Sequence, residues 1–370
     1  MPSIRRNKGW LLLILMLMPA AAAFPQESLP AAEFSRLIHD LSEEGGYFFS
    51  DNFTSNEDSY LTVVGKMQQL GAKGGAYIGV GPEQNFTYIA KVRPRIAFIV
   101  DIRRQAMIQH LMYKAIFHLA PTRAEFLSLL LSKPLTGKVP GPKEPIDSLI
   151  AYLSDIPADE KSYAVNLAVI GRTITQDFKF DLSKEDQDTL AYVYRSFRLQ
   201  GFNIGFDTNG RFSSRFGHLP NLKELLVKKD LNEKEGNFLA SAEDYDFVRG
   251  MQRRNMIIPV VGDFSGTKAL SAVGGYLKKH GYIVTVFYLS NVEIVLFEYG
   301  SGDDKFPAFV SNIKKLPIND RSLLIRSTFW FYRHPAQLPG YALCTSLQNI
   351  SAFIKEFDEG RYQEYRDLLK

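Results

Sequence analysis

The sequence contains very little cysteine: Cys344 is the single cysteine in 370 residues. One thiol cannot form an intramolecular disulfide, so a disulfide-stabilised scaffold is excluded. Cys344 lies in the apolar stretch 341–347, which indicates a buried, unreactive thiol rather than a nucleophile. The chain must therefore be held together by its hydrophobic core, for which this length and 45% hydrophobic residues are sufficient.

Several catalytic and metal-binding patterns are also missing. The six histidines are scattered, and neither an H-E-x-x-H motif nor a Cys/His cluster occurs, so no metal site is predicted. No G-x-S-x-G nucleophile elbow occurs. Residues 262–268 superficially resemble a phosphate loop, but they lack the G-x-x-x-x-G-K-[ST] spacing and are more typical of a helix start.

A basic excess is absent from most of the chain. The formal net charge is +4, but Arg5, Arg6 and Lys8 precede the first acidic residue, Glu27. Without those three charges the remainder carries 4 − 3 = +1. A nearly neutral body argues against a nucleic-acid partner and against a polybasic membrane surface.

Residues 1–26 have the pattern of a signal peptide. The positive charges are followed by an apolar run over 10–24 and by Ala21, Ala22 and Ala23, which suit cleavage near residue 23. The run is shorter than the roughly 20 residues that span a bilayer, and no second such run follows. We expect an exported protein, periplasmic or secreted. The alternative is that an uncleaved leader anchors the chain to the membrane.

Apolar segments alternate with helical patterns along two parts of the chain. Five segments read as buried strands: 75–79, 96–100, 256–261, 282–289 and 323–331. The clearest helical patterns follow them at 84–92, 103–119 and 268–280. Another helix is expected to begin near 55–58 and to end at Gly71. This alternation predicts an α/β fold with a doubly wound, largely parallel sheet.

The chain is expected to divide into three parts after the leader. Residues 27–120 would hold N-terminal helices and the first βαβ half of the sheet domain. Residues 121–250 read as a mainly helical insertion or cap, and residues 251–370 as the second half with a C-terminal extension. Oligomeric state has no signal in the sequence.

The chemically useful residues cluster where the predicted strands end. These are the turn 79–83, Asp101, the turn 262–266, and Ser290 with Asn291. In a doubly wound sheet, ligands bind beyond the carboxyl ends of the strands. Glycine lets the backbone approach a ligand closely, and a carboxylate after the second strand can accept both hydroxyls of a ribose. Asp101 lies 20 residues after Gly81, a spacing that suits this role.

These residues resemble the motifs of the class I S-adenosylmethionine-dependent methyltransferases. The strand and turn 77–82 are similar to the first motif, Asp101 to the acidic second motif, and 262–263 to a pair that lies beside adenine in that family. The strand 287–291 is similar to the place where the family meets its substrate. The resemblance covers about residues 60–120 and 255–332 and implies a Rossmann-like methyltransferase fold.

The resemblance implies a set of site residues with S-adenosylmethionine as the cofactor. The cofactor-binding residues would be Gly79, Gly81, Pro82, Glu83, Asp101, Asp263 and Phe264. The substrate-binding residues would be Ser290 and Asn291, and a catalytic base is sought at Asp263 and Asp51. A nicotinamide site is disfavoured because no third glycine falls near Gln84.

Other interpretations of the same residues are open. Gly79 and Gly81 also suit an ordinary turn, and Asp101 and Asp263 also suit helix caps. The stretch 46–57 suits either a surface loop or a lid over the cofactor cleft. Because S-adenosylmethionine is made in the cytoplasm, an exported chain is either a methyltransferase of undefined acceptor or a non-catalytic binding protein on the same fold. A different α/β enzyme using the same crevice is a third possibility.

Overall fold

A computed structural model describes residues 27–207, 218–298 and 305–370. The predicted signal peptide, residues 1–26, and most of the glycine-rich loop at 203–215 lie outside the described residues. Within the described ranges, no helix is both long enough and apolar enough to cross a membrane.

The fold is mixed α/β and is built on a six-stranded, mostly parallel sheet. The strands are β1 (Ala76–Gly79), β2 (Ile96–Asp101), β3 (Ile257–Val261), β4 (Val284–Ser290), β5 (Leu323–Phe329) and β6 (Leu343–Asn349). Their order in the sheet is β3-β2-β1-β4-β5-β6. Neighbours from β3 to β5 are parallel, and β6 runs antiparallel to β5. All five predicted strands are confirmed to within two residues at each end, while β6 is an addition.

The strands form where the sequence shows continuous apolar runs. Every residue of β1, β2, β3 and β5 is buried. Since successive side chains of a strand point to opposite faces, this burial shows that the sheet is covered on both faces.

Helices account for about half of the remaining described residues. They are α1 (Ala31–Leu41), α2 (Val64–Gln69), α3 (Gln84–Val92), α4 (Arg104–Leu119), α5 (Arg123–Leu131), α6 (Ile146–Ser154), α7 (Glu160–Arg172), α8 (Lys184–Gln200), α9 (Leu222–Leu226), α10 (Ala242–Arg253), α11 (Ala269–Lys279), α12 (Val292–Glu298), α13 (Lys305–Ile313) and α14 (Ile350–Asp358). The helices predicted after β1, β2 and β3 are confirmed as α3, α4 and α11.

The helix expected to begin near residues 55–58 was wrongly placed. The structure has only α2, which starts at Val64 and has no side-chain cap. Residues 55–57 instead turn inward: Ser55 is 4% exposed and Glu57 is fully buried. Their side chains bond to distant parts of the chain rather than to a helix terminus, because the interior offers those partners.

Residues 121–250 carry α5 to α10 and pack on α4. Phe117 of α4 lies 4.6 Å from Phe126 of α5 and 5.5 Å from Tyr245 of α10, measured between ring centroids. This aromatic cluster joins the helical region and the sheet region in one continuous core.

The strand order opens a crevice at the carboxyl ends of the strands. The chain proceeds from β1 through β2 to β3 on one side of β1, then crosses to β4 on the other side. The chain leaves the carboxyl end of β1 toward one side of the sheet and the carboxyl end of β4 toward the other. The loops that follow these two strands therefore diverge and leave a gap between them. The ends of β1, β2, β3 and β4 therefore surround one opening.

Candidate functional site

A cavity of about 270 Å³ lies beyond the carboxyl ends of these four strands. Seven of the residues predicted from the sequence line it: Gly81, Pro82, Asp101, Asp263, Phe264, Ser290 and Asn291. Much of the remaining wall is apolar or aromatic and comprises Tyr47, Phe48, Phe49, Val80, Val100, Ile102, Phe206, Val292, Val295 and Leu296. The structure thus brings together residues that lie up to 210 positions apart in the sequence.

The glycine turn after β1 is fixed by side chains behind it. Gly81 has a φ of +78°, which favours glycine, and its carbonyl accepts hydrogen bonds from His110 Nε2 at 2.8 Å and from Asn85 Nδ2 at 3.1 Å. Burial lowers the pKa of His110 to about 4, so this imidazole is neutral at pH 7. Asn85 Nδ2 also bonds to the carbonyls of Val80 and Pro82.

Gly79 does not line this cavity. A Cβ atom at Gly79 would lie 2.0 Å from Asn85 Oδ1, so the glycine makes room for the side chain that holds the turn. A glycine is therefore required at position 79 by internal packing rather than by contact with a ligand.

Asp101 is engaged by a neighbouring cation. Arg103 Nε donates to Asp101 Oδ1 at 3.1 Å and Nη2 donates to Oδ2 at 2.9 Å, while the Arg103 amide donates to Oδ1 at 2.9 Å. Arg103 Nη1 also bonds to the carbonyls of Ser50 and Asp51 at 3.1 and 2.7 Å. The helix α4 begins after Arg103 without a side-chain cap, so Asp101 does not serve as the helix cap considered above. Its carboxylate anchors an arginine that ties residues 50–51 to the end of β2.

Asp263 and Phe264 follow β3. Asp263 Oδ1 accepts hydrogen bonds from the amide and hydroxyl of Ser265, both at 2.8 Å, and so stabilises the turn rather than capping α11. Glu43 accepts from the Asp263 amide at 2.7 Å and from the amides of Lys268 and Ala269 just before and at the start of α11. Because Glu43 occupies these amides, the start of α11 is not an open anion site.

Ser290 ends β4 in a left-handed conformation, with a φ of +53°. Its hydroxyl donates to Glu57 Oε1 at 2.6 Å, and the Tyr288 hydroxyl donates to the same oxygen at 2.7 Å. Gln84 Nε2 donates to Glu57 Oε2 at 3.0 Å. Glu57, which is fully buried, therefore fixes the end of β4 against the start of α3.

The structure places Glu83 and Asp51 elsewhere. Glu83 is buried behind the turn, where its Oε1 accepts from the Ser55 amide at 3.2 Å, and burial raises its pKa to about 7. Asp51 lines a separate depression with Arg104 and Gln105, and its Oδ1 accepts from the Tyr192 hydroxyl at 3.2 Å. Neither side chain is part of the cavity wall described here.

Sequence reasoning missed Asn56, Glu57, Arg103 and Lys305. Arg103 and Lys305 place a cation beside each cavity carboxylate: Lys305 Nζ lies 3.9 Å from Asp263 Oδ2. The position of Arg103 two residues after Asp101 was an available signal. Asn56 and Glu57 belong to the stretch 46–57 considered as a lid; Asn56 forms part of the cavity wall, and Glu57 supports that wall from behind. No cluster of metal-ligating side chains occurs in the described ranges.

The chain matches a family described as a domain of unknown function, DUF7790, over residues 52–135 and 211–370. These segments make up more than half of the chain, and the protein belongs to this family. The unmatched residues 136–210 carry α6, α7 and α8. No curated protein matches the sequence. The cavity is built from residues of the matched segments together with the aromatic stretch 47–49 and Phe206.

Proposed function

We propose that this DUF7790 protein binds S-adenosylmethionine in the cavity and acts as a methyltransferase-like protein outside the cytoplasm. One observation carries the proposal: Gly81, Asp101, Asp263, Phe264 and Ser290 line one cavity. The resemblance assigns these residues to cofactor and substrate, and a shared cavity is what a cofactor site beside a substrate site requires.

The sheet supports the finer fold assignment within the proposal. Its order, β3-β2-β1-β4-β5-β6, is the order of doubly wound nucleotide-binding sheets, although β6 is antiparallel here. In such sheets the ligand lies at the switch point, which in this chain is between β1 and β4. We therefore assign a doubly wound, Rossmann-like fold of the methyltransferase type.

The cavity suits an adenosyl cofactor better than a dinucleotide. Gly81 leaves open space where a side chain would otherwise project, and Asp263 with Phe264 offers an acceptor beside an aromatic face. Asp101 Oδ2 accepts one hydrogen bond within the protein and has lone-pair capacity for a ribose hydroxyl. The cavity wall carries two carboxylates, Asp101 and Asp263, and two cations, Arg103 and Lys305, so its net charge is balanced. A pyrophosphate would favour an excess of positive charge, which this wall does not offer.

The cofactor, when bound, would supply an electrophilic methyl group. The chain would then position an acceptor against it, and positioning accounts for most of the rate in such a reaction. Of the two bases considered from the sequence, Asp263 lines the cavity and Asp51 does not. Asp263 is the better candidate by position.

Calorimetric titration with S-adenosylmethionine and S-adenosylhomocysteine tests the proposal. Gly81→Val should abolish binding, because valine would project into the cavity and is strained at a positive φ. Gly137→Val is the matched control: Gly137 also has a positive φ, +65°, and open surroundings, but it lies outside the cavity. Binding that persists in Gly81→Val, or no binding by folded wild-type protein, would contradict the proposal.

A second function is favoured by the Asp101–Arg103 pair. Because the carboxylate is already bound by a guanidinium, ribose hydroxyls must share it or displace Arg103. A non-catalytic exported binding protein on the same fold would keep the cavity without that exchange. This alternative predicts that neither adenosyl compound binds to the folded protein.

A further inference from the structure

The β4 side of the cavity carries polar groups that the cofactor assignment leaves unused. We define the acceptor side by its lining residues Asn56, Ser290, Asn291, Val292, Val295 and Leu296. These residues come from the stretch before α2, from the end of β4 and from α12, so they oppose the ends of β2 and β3 across the opening.

Asn56 presents an unused carboxamide to this side. It is 5% exposed and lines the cavity, yet its side chain makes no hydrogen bond to any part of the chain that the structure describes. Asn56 Oδ1 and Nδ2 are accessible from the cavity rather than sealed in the protein interior. The Asn56 amide therefore has one acceptor and two donor positions for a bound molecule.

Ser290 presents a hydrogen-bond acceptor. Its single hydroxyl proton is directed to Glu57 Oε1 at 2.6 Å, so its oxygen meets a ligand with lone pairs. Glu57 is held in turn by Tyr288 and Gln84. Glu57 is thus a positioning residue that fixes the direction of the Ser290 hydroxyl proton. A ligand group that faces the Ser290 oxygen must therefore donate a hydrogen bond.

The charges around the cavity disfavour an anion on this side. The cations Arg103 and Lys305 are each paired with a cavity carboxylate, and Glu57 lies directly behind Ser290. Val292, Val295 and Leu296 offer an apolar surface beside the polar groups. The combination suits a neutral molecule with an apolar body.

We propose that the acceptor side binds a small, uncharged, amphipathic molecule through a hydroxyl or N–H group. That group donates to Ser290 Oγ and is met by the Asn56 carboxamide, while its apolar body packs on the side chains of α12. The inference rests on the proposed function, because it assigns this molecule as the methyl acceptor. It deepens that function by naming the substrate class.

The probe for the test is 4-nitrophenol, whose neutral and ionised forms absorb at different wavelengths. Full-length protein is titrated into the probe at a pH near the probe's own pKa. We expect a saturable loss of the phenolate band, because the site binds the neutral phenol. A rise of the phenolate band on binding, or no saturable change, would overturn the inference.

Two variants and one control connect binding to the named groups. Asn56→Ala removes the carboxamide, and Ser290→Gly removes the hydroxyl while suiting the φ of +53°. Each should weaken binding by about tenfold, the value of roughly one hydrogen bond. Asn232→Ala, at an exposed loop position, should bind like the wild type. Unchanged affinity in both cavity variants would also overturn the inference.

A parallel titration with S-adenosylhomocysteine separates this inference from the proposed function. If the protein binds 4-nitrophenol but not S-adenosylhomocysteine, the proposed cofactor is refuted and the proposed subsite for neutral molecules is retained. Binding of S-adenosylhomocysteine without 4-nitrophenol would keep the cofactor and refute the subsite.

Discussion

Lys114 of α4 is a buried lysine whose charge should make the stability of the protein depend on pH. Its side chain is 2% exposed and donates to the carbonyl of Gln252. Its ammonium lies 4.6 Å from the ring centroids of both Phe34 and Phe178. No carboxylate pairs with it in the described ranges. Burial lowers its pKa from 10.5 to about 7.

The sign of the effect follows from proton binding. Between about pH 7 and 10.5 the folded protein holds Lys114 neutral, while the unfolded chain keeps it protonated. The unfolded state therefore binds more protons, and stability from this group rises with pH. The contribution is greatest above 10.5 and is lost as pH falls through about 7. From about pH 6 to about pH 9 it should add about 2–3 kcal/mol to the free energy of unfolding.

The measurement is urea unfolding of wild type and Lys114→Met at a series of pH values. Methionine keeps an unbranched apolar side chain and removes the charge. Glu83 acts in the opposite direction, because its pKa is raised from 4.5 to about 7 and its contribution to stability is lost as pH rises through that range. Both proteins contain Glu83, so its contribution cancels in the difference between them.

The difference between the two proteins should therefore change steadily with pH. Lys114→Met should be the more stable protein by the largest margin near pH 6, and this margin should shrink by about 2–3 kcal/mol toward pH 9. Lys66→Met, at an exposed position, should show no such trend. A margin that stays constant with pH would refute the reasoning.

Two further predictions concern buried contacts and are read out by the same unfolding measurement. Arg326→Met should lower the free energy of unfolding by about 3–5 kcal/mol. Arg326 Nε donates to Glu293 at 2.7 Å, and without it Glu293 would be left buried with no cation. A loss below about 1 kcal/mol would show that the pair contributes little. Gly79→Ala should destabilise, because its Cβ would lie 2.0 Å from Asn85 Oδ1, whereas Gly275→Ala in α11 meets open space and should be neutral or stabilising. Equal stability of the two alanine variants would contradict the packing argument for Gly79.

Local patterns predicted the central strands because parallel strands buried on both faces appear as short apolar runs. The edge strand β6 escaped notice for the same reason. Its sequence, Leu-Cys-Thr-Ser-Leu-Gln-Asn, is half polar, and its last four residues are only partly buried. It is a strand because β5 offers a row of unpaired backbone groups, which its own sequence does not reveal.

The stretch 55–58 shows where a local signal fails. Polar residues before an apolar pattern are typical of a helix start, and that pattern is present. In the folded chain Glu57 accepts from Ser290, 233 residues away, and Ser55 bonds to Gln84. Partners so distant in sequence cannot be read from a window of a few residues.

The sequence by itself determined which residues stand at the strand ends, and hence that Gly81, Asp101, Asp263 and Ser290 would share one edge of a parallel sheet. That conclusion needs only strand direction and strand order. The tertiary structure alone decided how those groups are used: Arg103 occupies Asp101, Glu57 orients Ser290, and the Asn56 side chain has no hydrogen-bond partner among the described residues. Hydrogen bonds and ion pairs depend on atomic positions within about 3 Å, and only the packing of distant segments sets those positions.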